Sequence, residues 1–197
     1  MLRVAFLLIP LLASASVVNC QARRCKIGNV SFTCPSGLKL VENNANYDVF
    51  AGKDVAVFVS PAEGDVDVSE LVSTIATIAL LKLNPHQNQS FDWKPLNPGK
   101  AISKFETDRE DRQGFNGTTG VALDYRLIHF KSVEVLVGYV AALGAGDDAK
   151  AVFERNLPAD TAATISGCEL SAKLIFSITG ERFNEDNSPC SLVVRSR

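Results

Sequence analysis

Cysteine is the residue type whose number and spacing most clearly predict a chemistry in this sequence. The chain has five cysteines, and four remain once Cys20, at the end of an apolar leader, is set aside. An even number of cysteines in an exported chain predicts disulfide bonds, because the compartment is oxidising. Three pairings are possible, and we favour Cys25 with Cys34 and Cys168 with Cys190, since each closes a local loop near one end of the chain.

A zinc site built from the same four cysteines is the competing interpretation. Structural zinc sites are typically gripped by two cysteines spaced C-x-x-C, and the sequence contains no such pair. Each disulfide loop would instead contribute about 3 kcal/mol to stability on the chain-entropy model. We therefore expect two structural disulfides, no metal and no cofactor.

Acid–base groups are sparse. His86 lies in a polar loop and is expected to be solvated, while His129 alternates with apolar neighbours and is expected on a sheet surface. Neither has a metal-ligand spacing, and the sequence has no serine elbow, phosphate loop or dinucleotide fingerprint. We predict no catalytic residue. The alternative is a hydrolase-type enzyme that uses scattered carboxylates such as Asp92, Asp124 and Glu134, which would require two of them to converge in a concave pocket with a raised pKa.

Two charged clusters also bear on function. Glu63, Asp65, Asp67 and Glu70 could suggest calcium, but the glycine and glutamate positions of an EF-hand loop are not matched. Asp67 followed by Glu70 is instead typical of a helix N-terminus.

The second cluster, residues 108–112, approaches a predicted hairpin tip. A solvated edge is the simple interpretation. The functional one is a partner-contact surface, because aromatic residues and arginine dominate interface hot spots. Its candidate residues are Trp93, Arg109, Arg112 and Phe115.

The N-terminus predicts export. Residues 4–18 are almost uninterruptedly apolar and follow Arg3, a pattern typical of a secretory signal peptide over residues 1–20 with cleavage between 15 and 22. The segment is shorter than a membrane-spanning helix. Lipid anchoring at Cys20 is the alternative, but Asn19 is a poor fit to the small residue that a lipoprotein signal places before its cysteine. We expect a secreted or periplasmic protein.

Composition bounds the rest of the chain. A chain that is 46% apolar with a net charge of -2 can bury a core and gives no reason to expect nucleic acid or an anionic membrane as partner. No later segment is apolar for long enough to span a bilayer. We expect one soluble domain over residues 25–157, with residues 158–197 as an extension packed on it, and an unknown protein or small ligand as partner.

Hydrophobic patterning predicts the elements that would position these residues. Residues 47–51 and 55–59 predict a hairpin, and residues 67–83 predict a helix that ends at Asn84-Pro85. Residues 88–99 are expected to form a loop. Three long strands follow at 101–112, 119–130 and 133–143, the last apolar on both faces and so predicted to be central.

A short helix is predicted after Gly146. Residues 170–179 and 191–194 are then predicted to form an antiparallel pair braced by the Cys168–Cys190 bridge. The predicted fold class is α+β: an antiparallel sheet, made of a hairpin and a meander, flanked by helices and extended by this C-terminal β segment.

The order of these elements resembles the Mog1/PsbP-like α/β/α sandwich superfamily. The similarity lies in residues 30–38, an apolar strand followed by Pro35-Ser36-Gly37 and a second strand, then the hairpin at 55–59, the helix from Ser69 and the strands ending at Leu143. It covers about residues 29–156. The resemblance implies a mostly non-enzymatic binding or assembly factor and transfers no site residue, since fold does not fix function.

Overall fold

The computed structural model describes residues 23–62, 64, 67–83, 90–97, 101–155, 161–182 and 190. This part of the chain contains nine strands and three helices. The strands are β1 (Arg24–Ile27), β2 (Val30–Thr33), β3 (Lys39–Asn43), β4 (Asp48–Ala51), β5 (Val55–Pro61), β6 (Asp92–Leu96), β7 (Glu106–Phe115), β8 (Thr119–Phe130) and β9 (Val133–Ala145). The helices are α1 (Val68–Leu83), α2 (Gly146–Arg155) and α3 (Ala162–Thr179).

Seven of the strands form one antiparallel sheet in the order β3-β4-β5-β9-β8-β7-β6, and β1 pairs with β2 in a separate hairpin. The central strand is β9, as its two apolar faces predicted. The meander from β7 to β9 is also as predicted, although β7 begins at Glu106 rather than at residue 101. The edges of the sheet are therefore β3 at one side and β6 at the other.

Helices cover both faces of this sheet, so the fold is α+β. Helix α1 packs on one face through Val72, Ile75 and Ala79, against a buried cluster that includes Phe58 and Val140. We call this the α1 face. Burying a valine or isoleucine side chain stabilises the fold by about 1.5–3 kcal/mol.

The opposite face, which we call the α3 face, is covered by α3, by the β1–β2 hairpin and by α2. Leu174 and Ile175 of α3 pack there on Val57 and Tyr139. Helix α3 also comes very close to the sheet, because Gly167 lies directly over the Tyr139 ring.

Capping residues mark where α1 begins and where α3 begins and ends. The Asp67 carboxylate accepts the backbone N–H groups of Ser69 and Glu70 at 2.9 and 3.2 Å, which confirms the predicted N-terminus of α1. Helix α3 begins with a capping box between Thr161 and Thr164 and ends at Gly180 in the left-handed conformation.

The prediction of a C-terminal β extension is wrong for residues 170–179, which form the second half of α3. Gly167, Ser171 and Leu174 lie on one buried stripe at helical spacing, and the capping box fixes where the helix begins. The β-branched and aromatic residues that follow Leu174 favour a strand, but packing against the sheet overrides that preference. Residues 191–194 lie outside the described residues.

The loop predicted at 88–99 is also wrong in part. Residues 92–96 form edge strand β6, paired with β7 so that Trp93 lies opposite Gly114. Pro95 suggested a loop, but an edge strand tolerates proline because one side of it needs no N–H donor.

The predicted signal peptide lies outside the described residues. Of the helices in the described part, none is both long enough and apolar enough to cross a membrane.

Candidate functional site

A groove of about 780 Å³ opens on the α3 face, between α3 and the end of the sheet formed by β3 and β4. We call it the α3 groove. Its volume falls within the roughly 300–1,000 Å³ range of small-molecule sites. Its apolar lining includes Leu38, Leu40, Phe50, Leu170, Leu174 and Phe176.

The β1–β2 hairpin forms one wall of the groove, and two constraints fix its position. The sulfurs of Cys25 and Cys34 lie at bonding distance, 2.11 Å, across the open end of the hairpin. The N–H of Thr33 donates to Ser177 Oγ at 3.0 Å, and the Ser177 hydroxyl donates in turn to the Leu174 carbonyl at 2.8 Å. The hairpin is therefore bonded directly to α3.

The floor and the open side of the groove differ in exposure. Phe50 is buried and packs edge-to-face on Phe32, with ring centroids 6.1 Å apart. Leu40 is the cross-strand neighbour of Phe50 on edge strand β3, yet 47% of its surface is exposed. An exposed leucine beside a buried aromatic floor gives the groove an apolar contact surface that solvent can reach.

The groove lining has more positively than negatively charged residues. Arg23 and Lys173 are exposed cations, and neither forms an ion pair with a described residue. Glu181 is the acidic lining residue, and its carboxylate is bonded to the hydroxyls of Ser103 and Thr179. The two positive charges are thus left to interact with solvent or with a ligand.

These side chains are suited to binding. Apolar groups and exposed cations hold and orient a molecule, whereas proton transfer needs a positioned acid or base. Sequence reasoning identified only the two cysteines of the groove. Its other residues come from β3, β4 and α3, which are far apart in the chain, so no local motif marks them.

The second predicted disulfide is also in place: the Cys168 and Cys190 sulfurs lie 2.11 Å apart. Both pairs are those favoured from sequence.

The three carboxylates of the enzyme hypothesis do not converge. Asp124 lies opposite Tyr139 in the middle of the sheet, Glu134 lies opposite His129, and Asp92 lies opposite Phe115 at the edge. Asp124 and His129 are five residues apart on β8, which places Glu134 about 17 Å from Asp124. His129 Nδ1 lies 3.4 Å from Glu134 on the surface, and His86 lies outside the described residues.

Asp124 has a different carboxylate neighbour, Asp111, directly opposite it on β7. Both side chains point to the α3 face, and Arg126 donates to Asp124 at 2.9 Å and to Glu106 at 3.1 Å. Burial and then the hydrogen bond to Asp111 raise the pKa of Asp124 well above its usual range, although Arg126 opposes this. Asp124 is only 5% exposed and Asp111 is half-buried, and neither residue lines the α3 groove.

The four predicted partner-contact residues lie on two faces. Strand register places Trp93 and Arg112 on the α1 face, and Arg109 and Phe115 on the α3 face. A contact surface confined to one face of the sheet can therefore include only one of these pairs, and partner contact by either pair stays a prediction.

Each of the four already has an intramolecular contact. Trp93 packs near Phe91, with ring centroids 5.7 Å apart, and Phe115 stacks on Phe153 of α2 at 5.8 Å. Arg109 donates to Glu106 at 3.0 Å. Arg112 donates to Glu110 at 2.6 and 2.8 Å. Burial and the bond to Glu110 raise the pKa of the neighbouring Tyr125 to about 12.

The comparisons with known proteins bear on the fold. No protein-family profile matches the sequence, and no curated protein matches it. Among solved structures, the chain is similar to a single-substitution mutant of protein Mog1, with 13% identity, a TM-score of 0.44, and coverage of 79% of this chain and 92% of that one.

It is also similar to the Saccharomyces cerevisiae Ran-binding protein Mog1p, with 14% identity, a TM-score of 0.42, and coverage of 76% of this chain and 86% of that one. Both are Mog1 structures. The likeness concerns the arrangement of strands and helices alone, and no residue role is carried over from it.

Proposed function

We propose that this protein is an exported, non-catalytic binding module and that its ligand lies in the α3 groove. The observation that carries the proposal is the groove itself: an apolar lining of small-molecule size beside two cations that have no ion-pair partner among the described residues. Sites of this kind combine burial of apolar ligand surface with a few polar groups that set orientation.

Export is supported by the leader over residues 1–20 and by the two disulfides, which persist in oxidising compartments. The disulfides also support a binding role. Cys25–Cys34 holds the hairpin that forms one wall of the groove, so the site is largely preformed. A preformed site loses less conformational entropy on binding than a flexible one.

The test uses a neutral apolar fluorophore, Nile red, because its binding depends on apolar contact rather than on charge. Leu40→Ser removes an exposed apolar contact from the groove, and we expect it to weaken binding roughly tenfold. Leu81→Ser is the matched control, because Leu81 is similarly exposed, at 41%, but lies on α1 across the sheet. Equal affinities for the wild type and Leu40→Ser, or equal weakening by both variants, would contradict the proposal.

A further inference from the structure

The α3 groove carries information about the chemical class of its ligand. Building on the proposed function, we propose that the ligand is a single-chain amphiphile with an anionic head group, whose chain lies on the apolar lining and whose head lies between Arg23 and Lys173.

The charges of the groove lining indicate that the head group of the ligand is anionic. Arg23 and Lys173 are both exposed, and neither forms an ion pair with a carboxylate of the described chain. The Glu181 carboxylate, which accepts from the hydroxyls of Thr179 and the buried Ser103, offsets one of these two charges, so the lining keeps a net positive charge. An arginine fork pairs with a carboxylate through two parallel hydrogen bonds, and a lysine adds a point charge.

The shape and polarity of the lining indicate that the apolar part of the ligand is an alkyl chain. The lining residues of α3 run from Leu170 to Ser177, which at 1.5 Å per residue is about 10 Å. Leu40, Phe50 and Leu174 supply apolar surface along the same groove, and Ser177 already uses its hydroxyl to bond Thr33 and Leu174. An alkyl chain needs no hydrogen bonds, so it fits this lining better than a polar ligand would.

Displacement of Nile red by three ten-carbon probes tests the head group directly. The probes are decanoate, 1-decanol and decyltrimethylammonium, which share a chain and differ in charge. In the wild type we expect decanoate to bind at least tenfold more tightly than decanol, the effect of one charge-assisted hydrogen bond. We expect the cationic probe to bind most weakly, and added salt to reduce the preference for decanoate.

The double variant Arg23→Gln with Lys173→Gln should remove the preference for decanoate and leave decanol binding unchanged. Arg24→Gln with Lys53→Gln is the matched control, because it removes the same charge from exposed residues outside the groove lining. We expect the control to behave as the wild type. Loss of the preference in both double variants would mean that general charge, and not the groove, selects the anion.

The remaining outcomes separate failure of this inference from failure of the proposed function. If decanol binds as tightly as decanoate, or the cationic probe binds most tightly, the inference of an anionic head group is wrong and the binding module stands. If Nile red does not bind, or Leu40→Ser leaves its binding unchanged, the proposed function itself fails.

A last experiment tests whether the two cations bind the head groups of a lipid bilayer instead of a free amphiphile. Co-sedimentation with phosphatidylglycerol vesicles that is lost in Arg23→Gln with Lys173→Gln, together with no binding of decanoate, would assign the two cations to a bilayer head group. That result would overturn the inference. Binding of free decanoate without co-sedimentation is the result we expect.

Discussion

Thr33 and Ser177 lie 144 residues apart in the chain, yet the N–H of Thr33 donates to the Ser177 hydroxyl at 3.0 Å. This bond joins the end of β2 to α3, and the α3 groove lies beside it. The shape of the groove therefore depends on a contact between the two ends of the described chain.

Ser177→Ala should destabilise the fold and loosen the hairpin. The variant leaves the partly buried N–H of Thr33 without its acceptor, which costs about 1–3 kcal/mol. Hydrogen exchange should show faster exchange of the β1–β2 amides while the β8–β9 amides stay protected. Ser31→Ala is the control, since Ser31 is exposed on the same hairpin. Unchanged exchange at the Thr33 amide in Ser177→Ala would contradict this account.

Gly167→Ala should also destabilise the protein. A Cβ at this position would lie within 2.6 Å of the Tyr139 Cγ, so either α3 or the ring must move. Overpacking of this kind costs typically about 1–3 kcal/mol. Ile165→Ala, on the exposed side of the same helix, should change the free energy of unfolding by less than about 0.5 kcal/mol. Denaturant unfolding measures both, and equal effects would show that α3 does not pack closely on Tyr139.

The carboxylate of Asp124, which is buried beside the half-buried Asp111, predicts a pH dependence of stability with a definite sign. Because the folded-state pKa of Asp124 is raised, the folded chain binds its proton more tightly than the unfolded chain does. This group therefore reduces stability as pH rises from the unfolded pKa of about 3.9 through the raised folded pKa. Asp124→Asn removes the titration, so its stability relative to the wild type should rise with pH over that window.

Glu110→Gln is the control of opposite sign. The bond from Arg112 lowers the pKa of Glu110, with burial opposing it and the bond from Tyr125 assisting. This carboxylate contributes stability above its unfolded pKa of about 4.3 and loses it as pH falls through the folded pKa. The stability of Glu110→Gln relative to the wild type should therefore fall as pH rises. Chemical denaturation at several pH values with the disulfides intact measures both, and slopes of the same sign would contradict the assignments.

Export and the number of disulfides are tested together by intact mass. Protein made in its own host should begin after Ala15, Cys20 or Ala22, and its mass should rise by four hydrogens on reduction. A mass that begins at Cys20 with added acyl chains would instead support the lipid anchor. A full-length mass with free thiols would contradict export.

The sequence predicts those parts of the fold that local chemistry dictates. Asp67 marks the start of α1 because its side chain satisfies the N–H groups of the first turn. The double-sided apolar pattern of β9 identifies it as central because a strand buried on both faces cannot alternate.

The sequence-based predictions are wrong or incomplete where contacts between distant parts of the chain determine the structure. Residues 170–179 carry β-branched and aromatic side chains, but they are helical because their buried stripe fits the sheet at Tyr139. Trp93 and Arg112 looked like neighbours of Arg109 and Phe115, but alternation along β6 and β7 separates them onto two faces. The α3 groove combines residues from both ends of the described chain, and no spacing in the sequence relates Leu40 to Lys173.

The most direct test of the central claim is an amide chemical-shift titration of the ¹⁵N-labelled protein with decanoate. We predict that the largest shifts fall on residues that line the α3 groove, notably Leu40, Lys173 and Ser177, and that residues around Trp93 on the opposite face stay unchanged. Shifts centred on Trp93 and Arg112, with the groove unaffected, would contradict the claim that this groove is the ligand site.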